Sequence, residues 1–276
     1  MSAKLAATWG QVALWWLGQS GFGMRGHAAN VLVDPFIADH PDRLFPPPVR
    51  PDQVGGLHAV AVTHDHLDHL DEESLPGLAE AAPDAQFVVP EPLVGRVADL
   101  GIASERIAGV QPDRPLELDG LTIHAVPACH GDDLKEGYGF GRERSAGLYR
   151  YLGYVFDLGG VHVYHAGDTI PYEGIEERVR ELGVDVALLP INGRDAQRER
   201  QGIVGNLDEE EAANLAAAIG ADLLVPMHYD LFAANPGSPE RLVELVRKEH
   251  PELQVLVASR ARRFVYTNPV PRSVGR

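Results

Sequence analysis

Short apolar runs separated by glycine, proline and charged residues recur along the chain, at 12–17, 31–33, 59–62, 87–89, 121–126, 154–157, 161–165, 184–189, 223–226 and 254–257. Their length, β-branched content and flanking turn residues predict strands. Two stretches carry a helical pattern instead. Residues 208–219 (DEEEAANLAAAI) open with acids, which suit the positive end of a helix dipole, and stop at Gly220. Ser238 opens the second, which runs through Glu240, Leu242, Leu245 and Val246 at helical spacing. A β-rich block followed by a mixed block predicts two sheets with helices on their outer faces, and nothing resembling a linker divides residues 1–276, so a single domain is expected.

Two segments follow neither period. Residues 38–54 contain Pro41, Pro46, Pro47, Pro48 and Pro51, and residues 131–148 are rich in glycine and charge. Loops this long usually serve a site, so both are expected to wall a cleft.

Composition narrows the partners. With a formal net charge of -16 the chain is a poor match for a phosphate backbone, whose binding relies on Lys and Arg displacing counterions, so no nucleic acid is expected. Cys129 is the single cysteine and forms no internal disulfide, which agrees with a cytoplasmic home. Residues 5–17 are mildly apolar but interrupted by Gln11, and read as the first strand rather than a leader. No run approaches the roughly 20 apolar residues of a transmembrane helix. An anionic small-molecule substrate is the expected partner, and a homo-oligomer is left open.

The chemistry gathers behind one of the strands. Thr63-His64-Asp65-His66-Leu67-Asp68-His69 follows the apolar run 59–62, and so many imidazoles and carboxylates at a strand end are hard to explain as core filling. They are ligands for zinc and similar divalent ions. In a loop, side chains 64 and 66 can point to one ion while 68 and 69 turn to a second; a solvated polar turn is the bland alternative. The pattern His-x-His-x-Asp-His behind a strand resembles the signature of the metallo-β-lactamase superfamily. Later stations of that family follow in order: His130 in Pro-Ala-Cys-His-Gly, Asp168 in His-Ala-Gly-Asp-Thr and His228 in Pro-Met-His-Tyr. Within the family, Trp15-Trp16-Leu17-Gly18 and Val33-Asp34-Pro35-Phe36 look most like the ascorbate-6-phosphate lactonase group.

The resemblance implies an α+β fold, a four-layer αββα sandwich with metals at one edge. It assigns His64, His66 and His130 to a first ion, and Asp68, His69 and His228 to a second, with Asp168 bridging. Two divalent ions are then the expected cofactors, zinc first and manganese or iron as alternatives. The expected chemistry is hydrolysis by a metal-bound hydroxide that Asp68 helps to orient. A lactone or related ester, such as a sugar lactone that carries a phosphate, is the first substrate class. A phosphodiester of a nucleotide or lipid headgroup is the second. Iron redox chemistry ranks last, because diiron relatives carry glutamate where this chain has His66.

Further residues are candidates for substrate contact. His165 stands three positions before Asp168 and suits a group that orients a ligand or the substrate. Arg194, with Arg198 and Arg200 in the stretch 192–201, would clamp an anionic substrate if that loop reaches the metals; a solvated surface loop is the other reading. Tyr229 and Asp230 directly follow His228. Three motifs are set aside. Gly21-Phe22-Gly23-Met24-Arg25-Gly26 matches a dinucleotide fingerprint but precedes a strand, so it is read as a hairpin turn. Gly18-Gln19-Ser20-Gly21-Phe22 lacks the second glycine of a nucleophile elbow, and Cys129 is read as a small buried residue. His124 and His162 are expected within sheets, and His27, His40, His58 and His250 at the surface.

Overall fold

A computed structural model describes residues 7–112, 114–131 and 138–270. Residues 5–6 of the first apolar stretch and 132–137 of the Gly-rich loop lie outside the described residues. Six strands come first: β1 (Gln11–Gly18), β2 (Gly21–Arg25), β3 (Asn30–Val33), β4 (Ala59–Ala61), β5 (Gln86–Pro90) and β6 (Ile107–Val110). The next group comprises β7 (Leu116–Leu118), β8 (Leu121–Pro127), β9 (Leu152–Asp157), β10 (His162–His165), β11 (Val186–Pro190), β12 (Leu223–Met227) and β13 (Gln254–Val255). The last strand, β14 (Arg263–Thr267), returns to pair with β1. Two seven-stranded sheets result, in the orders β14-β1-β2-β3-β4-β5-β6 and β13-β12-β11-β10-β9-β8-β7.

Each sheet is antiparallel in one half and parallel in the other. Strands β3 to β6 run parallel, as do β10 to β13. Period-two alternation sorts the first sheet's side chains. Val12, Leu14 and Trp16 of β1, Val31 and Val33 of β3 and Val88 of β5 face the shared core with Tyr154, Phe156 and Val163 of the second sheet. Leu32, Val60, Phe87 and Val89 face the other way, onto Leu75 and Leu78 of α1 (Leu75–Ala81) and Val97 of α2 (Val94–Ala98). Helix α3 (Ile175–Glu181) packs Ile175 and Val179 onto the second sheet, in contact with α5 (Glu209–Ala218), while the short α4 (Ala196–Glu199) stands in the chain between β11 and α5. The sequence helices are thus layered outside two sheets, as the αββα expectation required.

Helix α5 begins as its sequence indicated. The Asp208 carboxylate accepts from the Glu211 amide, and the Glu211 carboxylate accepts from the Asp208 amide. In α6 (Pro239–Glu249) the Ser238 hydroxyl accepts from the Arg241 amide. No helix among the described residues is long and apolar enough to cross a membrane.

Two expectations are corrected. Residues 21–25 are strand β2, paired on both sides, and the turn lies at Gly18–Gly21 instead. Gly26 serves packing rather than phosphate binding: a Cβ there would lie 2.7 Å from the Leu158 carbonyl oxygen. Strand β14 lay outside the expected strands because only Phe264 and Tyr266 are even half-buried.

Candidate metal centre

Parallel strands in both sheets point their C-terminal ends to one edge, where α/β proteins place their ligands. Strand β4 leads into 63–69, β8 into His130, β10 into Asp168 and β12 into His228. The turn after β4 is built by Asp34, whose carboxylate accepts the Thr63 amide at 2.8 Å and the Thr63 hydroxyl at 2.6 Å. The His69 and Leu70 amides then donate to the His66 carbonyl, closing a tight turn that turns His69 inward. Asp71 ties the neighbouring loop down, accepting the amides of Ile37 and Ala38 at 2.8 Å each.

The seven ligand candidates converge in two sets. His64, His66, His130 and Asp168 offer donor atoms within 4.8 Å of one another, and so do Asp68, His69 and His228. His66 Nδ1 lies 3.1 Å from His64 Nε2 and 3.1 Å from His130 Nε2. Two nitrogens at about 2.0–2.1 Å from one tetrahedral zinc stand roughly 3.3 Å apart, so the spacing suits a shared ion. The Asp168 carboxylate touches both sets, 3.5 Å from His130 Nε2, 3.2 Å from His69 Nε2 and 3.3 Å from His228 Nε2. His69 Nε2 and Asp168 Oδ1 are buried and face each other at 3.2 Å without a well-aligned hydrogen bond to satisfy either. Unsatisfied buried acceptors carry a desolvation cost that a bound cation removes. The residues therefore fit divalent ions.

The surroundings aim these ligands. Asp34 Oδ2 lies 2.6 Å from His69 Nδ1, an arrangement that leaves Nε2 as the inward donor. The Thr63 hydroxyl also reaches His64 Nδ1 at 3.1 Å. Gln19 entered the sequence reading only within a motif that was set aside, yet its side-chain amide donates to Asp68 Oδ2 at 2.7 Å. Its carbonyl accepts from the Trp16 indole and the His228 amide, at 2.9 and 3.0 Å. Gln19, Asp34 and His228 all adopt left-handed backbone, with φ of 50°, 43° and 58°. Strain of this kind in non-glycine residues concentrates at functional sites. Gln19→Ala is expected to lower the hydrolytic rate about 10- to 100-fold through a loosened Asp68, with little loss of thermal stability. Unchanged turnover in this variant would dismiss the contact.

A sequence model described as the β-lactamase superfamily domain matches residues 29–229, a span holding all seven candidates. The chain belongs to the metallo-β-lactamase superfamily. It is similar to a UPF0173 metal-dependent hydrolase from Rubrobacter xylanophilus, 31% identical over 239 residues, covering 83% of this chain and 85% of the relative. A second relative of that name, from Methanoculleus marisnigri, is 34% identical over 225 residues, covering 80% and 82%. Among solved structures, the metallo hydrolase Igni18 from Ignicoccus hospitalis superposes with a TM-score of 0.72 at 23% identity, covering 93% of this chain and 98% of that one. The isothiocyanate hydrolase from Delia radicum gut bacteria reaches the same TM-score at 18% identity, covering 93% and 99%, a likeness of fold alone. This superfamily member is a metal-dependent hydrolase.

Electrostatics divide the superfamily member's histidines. Burial, reinforced by His69 and His66, pushes His64 well below its ordinary 6.5, and burial brings His130 to about 3. Both are neutral imidazoles, the form that binds metal. Burial also pushes His228 down, but Asp168 and Asp68 outweigh it and hold it at about 9; His69 is raised in the same way by Asp168, Asp34 and Asp68. The protonated His69 and His228 stabilise the metal-free fold below about 6.5; the His228 contribution is lost as pH rises through about 9, and that of His69 is lost in the same alkaline direction. His64 and His130, neutral in the fold, contribute above about 6.5 and lose that contribution as pH falls, His130 towards about 3. The melting temperature of chelated protein should therefore peak near pH 6.5, with the alkaline decline abolished by zinc. A steady rise to pH 9 in chelator would contradict the pairing.

The candidate substrate contacts fare differently. His165 is fully buried, lying 2.7 Å from the Ser20 carbonyl through Nε2 and accepting the Gly167 amide at Nδ1, so both ring nitrogens are engaged in bracing two turns. Arg194 donates in two-pronged fashion to Glu211, at 2.6 and 2.7 Å, and to the Asn206 carbonyl. Arg198 is held by Asp195, the Asn192 carbonyl and Asn235. Arg194 and Arg198 thus pin their own loop, while Arg200 is exposed. Tyr229 is buried and stacks on Trp16 with centroids 5.1 Å apart, and Asp230 pairs with Arg260. Cys129 is half-buried rather than buried. His124 and His162 sit within β8 and β10, while His40, His58 and His250 are half-buried where exposure was expected.

Asp65, within the ligand run, faces away from the ions' sets. Burial alone would raise its carboxyl, but Arg150, with Arg96, outweighs that and holds it low. It ties α2 to the segment before β9. Tyr151, whose ring lies 5.2 Å from that of His130, is pushed up to about 12, chiefly by burial.

Proposed function

We propose that this hydrolase opens an ester bond, a lactone foremost, at a centre of two divalent ions, zinc first. The observation that carries the reading is the convergence of seven ligand side chains in two sets, with the Asp168 carboxylate in contact with both. Two divalent ions held there would lower the pKa of a water towards neutrality and polarise the oxygen under attack. The chain's own residues do the rest. His64, His66 and His130 present neutral imidazoles from a dry pocket, and Asp34 sets the tautomer of His69. Asp68 is the least buried of the seven apart from His66, and its side chain is 15% exposed, lining a cleft. Gln19 steadies its Oδ2. Burial alone would raise the carboxyl, but His69 and His228 outweigh it and hold the group well below the ordinary carboxylate range, so Asp68 stays ionised and is placed to orient the attacking water. No serine or cysteine nucleophile is required.

The resemblance to the ascorbate-6-phosphate lactonase group supports the lactone class. Its phosphate draws less support, because Arg194 and Arg198, the expected clamp for an anionic substrate, are engaged within their own loop. The test is the initial rate of zinc- or manganese-loaded protein on sugar lactones, their phosphates and simple phosphodiesters, with chelated protein as control. Metal-dependent lactone opening is expected, and cleavage of phosphodiesters alone would replace the ester reading. Asp68→Asn is expected to lower turnover about 100-fold or more, and a variant at wild-type rate would contradict the role given to Asp68.

A further inference from the structure

Beside the metal-ligating cluster lies a cleft of about 430 Å³ whose wall includes Asp68 itself. The rest of its lining is mostly apolar: Leu67, Ile203, Phe232, Ala233 and Ala234. Leu67 is 54% exposed although it sits between two ligand candidates, His66 and Asp68. A single exposed leucine needs no explanation, but here it is continuous with other apolar groups at a reacting centre. Phe232 is held in place by Phe36 and His40, with ring centroids 6.2 and 5.9 Å away. The cleft wall is therefore packed from behind rather than adaptable.

The charges in the lining have one sign. Asp42 and Asp68 are acidic, and no Lys or Arg stands among the described lining residues. Asn235, the polar lining residue on the far side, accepts from Asn192 and Arg198, and Arg198 also carries Asp195. An anion entering here would meet carboxylates and apolar surface, without a compensating donor in place. An uncharged hydrocarbon group would remove apolar surface from water on both sides.

We propose that this cleft binds an uncharged apolar substituent of the substrate, an alkyl or aryl group next to the scissile bond, so that the enzyme takes hydrophobic esters or lactones rather than phosphorylated ones. The assignment rests on the hydrolase reading for the position of the scissile bond, at Asp68. It departs from the expectation of an anionic substrate.

Two readouts keep the cleft and the hydrolase reading separable. The first is the affinity of zinc-loaded protein for acetyl, butyryl, hexanoyl and octanoyl hydroxamates, which chelate zinc irrespective of the tail, measured by calorimetry. Affinity should rise about threefold per added methylene, near the transfer free energy of a CH₂ group. The second is kcat/KM on the matching p-nitrophenyl esters. Ala234→Asp, a change at an exposed position, and Phe232→Ala should both shrink the octanoyl-to-acetyl affinity ratio at least threefold. A flat hydroxamate series, tighter binding of a tail ending in carboxylate or phosphate, or an unchanged ratio in Ala234→Asp would each overturn the cleft. A rising hydroxamate series without ester turnover would sustain the cleft and defeat the esterase reading.

Discussion

Replacing Asp168 with alanine should lower hydrolysis by three orders of magnitude or more and leave fewer than two ions per chain. The carboxylate lies within 3.2 to 3.5 Å of three imidazoles drawn from both ligand sets. Its loss would remove the carboxylate charge that two bound ions would share, and a metal centre supplies several kcal/mol of transition-state stabilisation, at about 1.4 kcal/mol per tenfold in rate. The fold should survive, because Asp168 faces the cluster rather than the apolar core, and Gly167 (φ +61°) sets the turn independently. Metal analysis alongside rates on a responsive ester checks it. A variant that keeps both ions and a tenth of wild-type activity would remove Asp168 from the bridging position.

Asp34→Ala should be the most destabilising substitution near the site, at roughly 3–5 kcal/mol in the metal-free protein. The Asp34 carboxylate is fully buried and contacts the Thr63 amide, the Thr63 hydroxyl and the His69 ring. Alanine would strand all three in a dry environment and leave His69, which is raised partly by Asp34, with one fewer counter-charge. Zinc affinity should fall about 10- to 100-fold, the usual loss when a ligand histidine is no longer oriented from behind. Chemical denaturation with and without zinc, together with a zinc competition titration, reads both effects. Stability within about 1 kcal/mol of wild type would show that another group takes over the acceptor role.

What the sequence made legible was local. Residue chemistry behind an apolar run singled out the segment 63–69, while His130, Asp168 and His228, each also just behind such a run, were named by the family resemblance. The groups that aim the ligands depend on contacts far apart in the chain. Gln19 reaches Asp68 across 49 positions and Asp34 reaches His69 across 35, and neither separation has a period that a local pattern reveals. In the sequence both stand only inside quoted motifs, Gly18-Gln19-Ser20-Gly21-Phe22 and Val33-Asp34-Pro35-Phe36, and their left-handed backbone is visible only in three dimensions.

The candidate substrate contacts are engaged elsewhere for a related reason. Arg194 and Arg198 form a basic cluster in the sequence, but Glu211 and Asp195 lie close enough to neutralise them before any substrate arrives. His165 is near Asp168 in the chain, yet in strand β10 it points into the sandwich, and its ring meets backbone groups. Short helices α1 and α3 were passed over because seven residues span too few turns for the apolar period to declare itself, and Gly174 precedes α3 where a capping side chain would have marked its start.

The most direct measurement is anomalous scattering from crystals of the zinc-loaded protein. The account predicts two peaks, one within bonding distance of His64, His66 and His130, the other of Asp68, His69 and His228, with Asp168 between them. A single peak, or a second peak away from Asp68 and His228, would contradict the two-ion centre on which the proposed hydrolysis depends.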